Sequence, residues 1–374
     1  MRKVIFLLCV MALAFPVLAF AQDATPEATS AMTAVASESA PWVCPDGFKG
    51  QSLSVFNWTT YVAEDTIGNF EKLCGVKVVY DTYESNEALL ARLSGGNPGY
   101  DIAVPTDHAV ADMIARDLVQ PLDQSKIPNL ANVSTKLLNT PYDPGNRYSV
   151  PYQWGTVGIG YNSDKVKKTV TSWKDMFTYS GPVAWLDDPR AMIGIALTIL
   201  GYNANTTDPT QINEARDFLI ANGKNVVAIA ADDGQAMLER GDVDMTVEYS
   251  GDIFQVEADC KCSNIAYDIP TEGTNFWVDN LVILKGAPNA ALANVFLDYI
   301  LDPHVGADIS NYTAYATPNQ AALDEGLIDP TQVSDPAIYP SADILAKSFS
   351  IQPLPDAQQL YNDAWDEIKI SLGK

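Results

Sequence analysis

Short apolar strands alternate with amphipathic helices along most of this chain, and that alternation restricts the possible folds more than any other feature. The strand-like segment SLSVFNW (Ser52–Trp58) is followed by EDTIGNFEKLCG, in which Ile67, Phe70 and Leu73 recur at helical spacing. The same order returns in VKVVYDTY and SNEALLARLSGG, and again in YDIAVPT and HAVADMIARDL. Strands that alternate with helices in this way predict an α/β fold with a parallel sheet.

The alternation restarts in the second half of the chain, after a segment that contains three glycines. This segment, YSVPYQWGTVGIGYN, is predicted to be a strand that crosses into a second lobe. Two later helices begin with Asp-Pro, at Asp188 and Asp208, which is typical of an N-cap followed by proline in the first turn. The strand NFWVDNLVIL is predicted to return to the first lobe. Two α/β lobes joined in this way would enclose a cleft faced by strand C-termini and helix N-termini.

The N-terminal region differs from the rest of the chain. Two basic residues precede the apolar run VIFLLCVMALAFPVLAF, which ends on the small-x-small pattern Ala-Phe-Ala. This pattern predicts a secretory signal peptide over residues 1–21, with an uncleaved membrane anchor as the alternative. Residues 22–45 begin with a stretch almost free of large apolar side chains and are predicted to form a disordered linker. The protein is therefore predicted to work in the periplasm or outside the cell. The sequence leaves open whether it is also tethered to the membrane.

The charge of the chain limits its partners. The 374 residues include 47 acidic and 23 basic residues, which gives a formal net charge of -24. Nucleic acid and anionic lipid are poor partners for so negative a surface. A cationic ligand would be attracted, although acidity can also serve solubility alone.

Four cysteines follow the predicted cleavage point, namely Cys44, Cys74, Cys260 and Cys262. An oxidising compartment permits disulfides between them. The spacing leaves open whether Cys260 and Cys262 close a local ring or each pairs with one of the other two.

Polar and aromatic residues cluster where predicted strands end and helices begin. These clusters are Trp58 to Tyr61, Tyr83 to Ser85, Thr106 to His108, Asp187 with Asp188, Glu248 to Asp252, and Trp277 with Asp279. Helix N-termini ordinarily favour anions, but here they already carry carboxylates and so favour a positively charged ligand. Aromatic rings strengthen this preference because their faces attract ammonium groups. Asp188 can also be explained as a helix cap alone, whereas an aspartate inside an apolar strand, as Asp279 is, needs a partner.

Eight segments together resemble the spermidine/putrescine-binding proteins of polyamine ABC importers. They are FNWTTYV, YDTYESNEALLARL, YDIAVPT, YSVPYQWGTVGIGYN, TSWKDMF, NTTDP, FWVDNLVI and YATPN. The resemblance implies a two-lobed periplasmic-binding-protein (type II) fold with two crossover segments and a hinge. Lobe 1 would comprise residues 46–157 and 279–322, and lobe 2 would comprise residues 158–278 and 323–374.

The resemblance also implies a set of ligand-binding residues. Matched one position at a time, they are Trp58, Thr59, Tyr61, Thr106, Asp188, Tyr249, Asp252, Trp277, Asp279 and Tyr315. The carboxylates would hold amino groups and the rings would flank an alkyl chain. Ala191 and Thr60 stand where other members carry acidic residues, and His108 replaces an aromatic residue or serine. Both putrescine and spermidine therefore stay open as ligands.

These features predict a solute-binding protein that captures a polyamine between its lobes and delivers it to an ABC-transporter permease. We predict no catalytic residue, cofactor or metal ligand, and we expect a monomer. One alternative is an exported enzyme on the same scaffold, which would need an activated nucleophile or an acid–base pair. Only two histidines are present, however, and G-x-S-x-G does not occur. A second alternative is a ferric-ion-binding protein, since tyrosines and carboxylates can bind iron, but tryptophan walls suit organic cations better.

Overall fold

The computed structural model describes residues 41–231, 233–354 and 356–374, which belong to one compact unit. The predicted signal peptide and the predicted linker up to residue 40 lie outside these described residues. The strands are β1 (Ser52–Trp58), β2 (Lys77–Tyr83), β3 (Ile102–Ala103), β4 (Ser149–Asn162), β5 (Val183–Leu186), β6 (Val226–Ala230), β7 (Met245–Tyr249), β8 (Ile265–Asp268) and β9 (Phe276–Ile283).

The helices surround these strands and follow most of them in the chain. They are α1 (Thr66–Cys74), α2 (Asn86–Leu93), α3 (Asp107–Ala115), α4 (Ser163–Val166), α5 (Trp173–Phe177), α6 (Pro189–Ile199), α7 (Pro209–Asn222), α8 (Gly234–Arg240), α9 (Ser250–Cys260), α10 (Ala290–Ile300), α11 (Pro303–Thr313), α12 (Gln320–Asp324), α13 (Pro330–Ser334), α14 (Ala342–Leu345) and α15 (Gln358–Leu372). Two short 3₁₀ helices, Gln124–Lys126 and Pro128–Asn132, lie between α3 and β4. None of the described helices has the length and hydropathy of a transmembrane segment.

The strands form one mixed sheet in the order β2-β1-β3-β9-β4-β7-β5-β6, with β8 paired to β4 outside this path. At one end β1 is parallel to β2 and β3, and at the other end β5 is parallel to β6 and β7. In the centre β9 is antiparallel to β3 and β4, and β4 is antiparallel to β7 and β8. The predicted parallel pairing therefore holds within each half of the chain, and the two predicted crossing strands make the sheet mixed.

Strand β4 connects the two ends of the sheet because its partners change along its length. Residues 149–156 face β9, whereas the residues from Val157 onwards pair with β7 and β8. Glycines at this change allow side chains to lie against the strand. A Cβ on Gly155 would lie 2.8 Å from the Trp277 ring, and one on Gly158 would lie 2.5 Å from the Tyr267 ring. The glycines noted in the sequence thus permit close packing on the crossing strand.

Helix starts follow the predicted Asp-Pro signal. Asp188 Oδ1 accepts hydrogen bonds from the backbone N–H groups of Arg190 and Ala191, each at 2.9 Å. Asp208 caps α7 by accepting one hydrogen bond, from the Thr210 backbone N–H. The signal also begins α11, where Asp302 Oδ1 accepts from two backbone N–H groups. Helix α11 was not predicted, although the Asp-Pro dipeptide before it was available as a signal.

Two strands differ from the predicted pattern. The strand predicted over YDIAVPT is reduced to Ile102–Ala103, because only these two residues pair with β1 and β9. Strand β8 was not predicted. It has four residues and pairs with β4 alone, so a tertiary contact supports it and its own pattern does not.

The cysteines form two disulfides, which the spacing had left undecided. Cys44 pairs with Cys74 across a sequence separation of 30 residues, and Cys260 pairs with Cys262. The first bond attaches the start of the described chain to the end of α1. The second bond closes a local ring at the end of α9.

Candidate ligand-binding site

A cavity of about 530 Å³ lies where strands from both ends of the sheet finish and helices begin. We call it the central cavity. It is lined by Trp58, Thr59, Tyr61, Asn86, Thr106, His108, Asp188, Tyr249, Asp252, Asn275, Trp277, Asp279, Tyr315 and Ile351. All ten residues proposed from the sequence are in this set, so the structure brings them together.

The first wall follows β1. Trp58 is the last residue of that strand, and its indole Nε1 donates a hydrogen bond to the Val104 backbone carbonyl at 2.8 Å. Its ring packs on Tyr83 at a centroid distance of 4.7 Å. Thr60 adopts a left-handed backbone conformation with φ 46°, and its neighbours Thr59 and Tyr61 both line the central cavity. The segment of aromatic and hydroxyl residues after β1 is therefore a turn, and its side chains form part of the cavity wall.

A second wall is a continuous row of aromatic rings. The Tyr61 ring contacts the Tyr315 ring at 5.3 Å, Tyr315 contacts Trp277 at 5.2 Å, and Trp277 contacts Tyr249 at 5.8 Å. All three contacts are edge-to-face, which is a favoured geometry for aromatic pairs. The row joins the turn after β1 to the end of β7, so residues from both ends of the sheet share one aromatic surface.

Asp279 is the most deeply placed carboxylate of the central cavity. Its residue is 5% exposed and lies in β9 opposite Gln153 of β4. Its Oδ1 atom has no hydrogen-bond partner among the described residues. No lysine or arginine of the described chain forms an ion pair with it. A carboxylate buried in this way is costly unless a cation pairs with it.

The surroundings of Asp279 change its acidity. Burial raises the pKa of Asp279 to about 7, and the hydroxyl groups of Thr106 and Tyr61 lower it in part. Neither hydroxyl reaches Oδ1 with hydrogen-bond geometry. The negative charge of Asp107 raises the pKa further, and His108 opposes that effect. The carboxylate is thus held in a site that disfavours its charge in the absence of a paired cation.

The two adjacent aspartates after β5 have different environments. Asp187 accepts a hydrogen bond from Trp365 Nε1 at 2.6 Å and pairs with Lys369 at 3.5 Å. Asp188 caps α6 and also lines the central cavity. Among the ion pairs of the described residues, none includes Asp188. The capping role and a place in the cavity wall are therefore compatible.

Other predicted residues reach the central cavity from helix N-termini. Thr106 is the N-cap of α3, Tyr249 is the N-cap of α9, and Asp252 lies buried in the first turn of α9. Each of these helices follows a strand of the sheet directly or within a few residues. The predicted arrangement of strand ends and helix starts around one cleft is observed.

Three lining residues were missed from the sequence, and His108 was noted only as a departure. Asn86 donates from Nδ2 to Thr106 Oγ1 at 2.9 Å and accepts from the Thr106 backbone N–H at 3.2 Å. It follows the predicted N-cap Ser85 directly, so its position was a usable signal. Asn275 begins the return strand segment, but Ile351 lies in a coil with no local signal. Among the described residues, no group of three or more His, Cys, Asp or Glu side chains is arranged to hold a metal ion.

Comparison with known proteins extends these observations. A family model described as bacterial extracellular solute-binding protein matches residues 66–340. The putrescine-binding periplasmic protein of Pseudomonas aeruginosa (strain UCBPP-PA14) is 34% identical over 337 residues, covering 85% of this chain and 91% of the relative. The spermidine/putrescine-binding periplasmic protein of Salmonella typhimurium is 35% identical over 322 residues, with coverage of 85% and 91%.

A solved structure supports the same relationship. The spermidine/putrescine ABC transporter substrate-binding protein of Streptococcus pneumoniae has a TM-score of 0.75 at 33% identity, and the match covers 86% of this chain and 100% of that chain. The resemblance inferred from the eight segments is confirmed, and so is the periplasmic-binding-protein fold that it implied. The relatives named above are periplasmic proteins, which agrees with a location outside the cytoplasm. The chain belongs to the family of bacterial extracellular solute-binding proteins.

Proposed function

We propose that this protein captures a polyamine, putrescine or spermidine, in the central cavity and delivers it to the membrane permease of an ABC transporter. The observation that carries the proposal is Asp279, a buried carboxylate on the cavity wall whose Oδ1 has no partner among the described residues. The names of the relatives from Pseudomonas and Salmonella support the choice of a polyamine as the ligand.

The proposed ligand spans the cavity. One ammonium group pairs with Asp279, and the other is held by Asp188 and Asp252, which also line the cavity. The alkyl chain between them lies against aromatic rings, those of Trp58, Tyr61, Tyr249, Trp277 and Tyr315. Thr59 and Thr106 supply hydroxyl groups that orient the amines.

These contacts are strong enough for a useful affinity. A hydrogen bond to a charged group contributes roughly 1.5 to 3 kcal/mol, and a desolvated cation–π contact contributes about 2 kcal/mol. A micromolar dissociation constant requires about 8 kcal/mol. Four such contacts in the upper part of these ranges, with burial of the methylene groups, reach that value when association costs about 4 kcal/mol.

We propose that ligand binding closes two lobes around a hinge. Lobe 1 comprises residues 46–157 and 279–322, and lobe 2 comprises residues 158–278 and 323–374. The change of partners along β4 between Thr156 and Val157 supports the first boundary. Because the ligand touches both lobes, it stabilises the closed form, and the permease can distinguish loaded from empty protein.

We further propose that the protein is exported by a signal peptide over residues 1–21 and that a linker connects this peptide to the folded unit. The predicted end of the linker at residue 45 is too late, because Trp42 Nε1 donates a hydrogen bond to Asp298 and Cys44 is bonded to Cys74. The protein acts as a monomer and performs no chemical step on its ligand. The names of the relatives, which describe binding proteins, support a role in ligand binding without a chemical step.

A calorimetric and thermal-shift screen tests the proposal. The purified protein is titrated at pH 8 with putrescine, spermidine, spermine, agmatine, a neutral sugar and ferric ion. We expect at least one polyamine to bind, and a ligand at 100 times its dissociation constant to raise the stability by about 2.7 kcal/mol. The sugar should have no effect. The proposal fails if no polyamine binds, and visible colour with ferric ion would favour the iron-binding alternative.

A further inference from the structure

His108 is the feature of the central cavity that the proposed function leaves unexplained. It is the second residue of α3, and its side chain is 20% exposed. It lines the cavity together with Asp188 and Asp279. Among the fourteen lining residues there is no lysine or arginine, so His108 is the one side chain of this lining that can carry a positive charge.

Acidic groups surround His108 on several elements. The titratable groups that act on this histidine or on its nearest carboxylate are Asp107 on α3, Glu87 on α2, Asp188 at the start of α6, Asp279 on β9, and Tyr142 near Asp107. The closest of these is Asp107, whose Oδ1 lies 3.6 Å from His108 Nδ1. Nδ1 is buried and has no hydrogen-bond partner among the described residues. Burial raises the pKa of Tyr142 to about 12, so that phenol stays neutral.

The charge of His108 depends on two opposing effects. Burial lowers its pKa, but the adjacent Asp107 and the charges of Asp188 and Glu87 raise it above the ordinary value. Glu87 responds in the opposite sense, since desolvation and the charge of Asp188 raise its pKa while His108 lowers it. A protonated His108 therefore neutralises the carboxylates that face an incoming ammonium group.

We propose that His108 is an internal cation of the central cavity that competes with the ligand's ammonium group, so that ligand binding expels the histidine proton and acid pH weakens binding. This inference rests on the proposed function. Two positive groups near the same carboxylates repel each other. Coupling between two binding events is reciprocal. Protonation of His108 therefore weakens binding of the amine by the same factor as the bound amine weakens binding of the proton to His108. The alkyl ammonium groups themselves stay charged between pH 6 and 8, since their pKa is near that of lysine, about 10.4.

The chain offers a matched pair of variants because it has two histidines, His108 and His304. His304 lies in the first turn of α11 and does not line the cavity. Proton NMR of the purified protein, His108→Gln and His304→Gln follows both imidazole resonances with pH, without and with saturating putrescine or spermidine. We expect the imidazole resonance that is absent in H108Q to have a titration midpoint above pH 6.5 in the free protein. Bound ligand should shift this midpoint to lower pH. Ligand should leave the His304 resonance unchanged at each pH.

Calorimetry of the same three proteins at pH 8 and pH 6 gives the second measurement. Asp279 also titrates in this interval, and its protonation should weaken binding in all three proteins. The informative quantity is therefore the difference between the proteins in how much affinity they lose on acidification. Wild type and H304Q should lose more affinity than H108Q on acidification, by up to about tenfold for each pH unit below the pKa of His108.

The outcomes separate the two proposals. Amine binding with a His108 resonance that ligand leaves unchanged, and with the same pH profile in H108Q as in wild type, would overturn this inference alone. Absence of polyamine binding at pH 8 in wild type would overturn the proposed function and this inference with it. The NMR titration uses wild-type protein, and H304Q identifies the His108 resonance as the one that remains, so a folding defect in H108Q does not decide the result.

Discussion

Thr106 and Asp279 pair across an antiparallel bridge that joins the start of α3 to β9. This bridge brings a helix N-terminus against a strand that runs through the centre of the sheet. It places the buried carboxylate of Asp279 on the wall of the central cavity, where no described lysine or arginine forms an ion pair with it. The properties of the central cavity depend on this placement.

Replacing Asp279 by asparagine should remove most of the polyamine affinity. The change keeps the shape of the side chain but removes the charge that faces the ammonium group, and loss of one partner from a buried charge pair costs roughly 2 to 5 kcal/mol. Calorimetry at pH 8 measures the effect. Asp366→Asn is the matched control, because that carboxylate is 70% exposed on α15 and the net charge changes equally. Equal affinities in Asp279→Asn and wild type would remove Asp279 from the site.

The same substitution should stabilise the ligand-free protein at neutral pH. Burial raises the pKa of Asp279 to about 7, above the usual value near 3.9. Folding therefore favours the protonated form of Asp279. The stability that the protein gains from this is complete below about pH 4 and is lost as the pH rises through 7. We expect Asp279→Asn to exceed wild type at pH 8 by on the order of 4 kcal/mol in free energy of unfolding. Urea denaturation of the variant and of wild type at pH 4.5 and pH 8 measures both free energies of unfolding. A difference between the two proteins that does not widen from pH 4.5 to pH 8 would contradict this prediction.

Gly251 should tolerate no side chain, because the Tyr315 ring lies against it. A Cβ at this position of α9 would lie 2.5 Å from Tyr315 Cε2. Gly251→Ala must displace the ring from the aromatic row, and overpacking of this kind costs about 1 to 3 kcal/mol. We expect polyamine affinity to fall by about tenfold or more. Gly68→Ala in α1 is the control, since its Cβ would meet nothing within 4 Å and helix propensity favours alanine by about 1 kcal/mol. Equal affinities in the two variants would show that Tyr315 does not line the occupied site.

The two disulfides should contribute unequally to stability. The Cys44–Cys74 bond closes a loop with a sequence separation of 30 residues, whereas Cys260 and Cys262 are two residues apart. Loop-closure entropy assigns about 3 to 4 kcal/mol to the first and under about 2 kcal/mol to the second. Denaturation of the Cys44→Ser/Cys74→Ser and Cys260→Ser/Cys262→Ser double variants compares them. A larger loss from the second pair would argue against a constraint on the unfolded chain as the cause.

Local signals predicted many of the elements well. Asp188 before Pro189 predicted the start of α6, and Ser85 predicted the cap of α2, where its hydroxyl accepts from Ala88 N–H at 3.1 Å. Such signals work because a cap is satisfied by residues two or three positions away. The same locality explains why β8 was missed, since its strand character depends on pairing with β4, a hundred residues earlier.

The site was predicted in two different ways. The polar residues at strand ends were visible in the alternation of the chain, because the carboxyl ends of strands and the starts of helices meet at one side of an α/β sheet. Tyr315 lies in a coil between α11 and α12 and was assigned only through the resemblance in YATPN. Ile351 has neither signal, and it lines the central cavity from the coil that follows α14.

The amino-acid sequence by itself determined the α/β class, most helix starts and the acidic and aromatic character of the ligand site, because these depend on periodicity and on neighbours within a few residues. The tertiary structure alone decided the pairing of the cysteines, the change of partners along β4, and the isolation of Asp279 from lysine and arginine in the described chain. These properties depend on which distant residues become neighbours when the sheet assembles. The affinity for a cation that we propose for the site would follow from that assembly, since burial of a carboxylate without a lysine or arginine partner is costly.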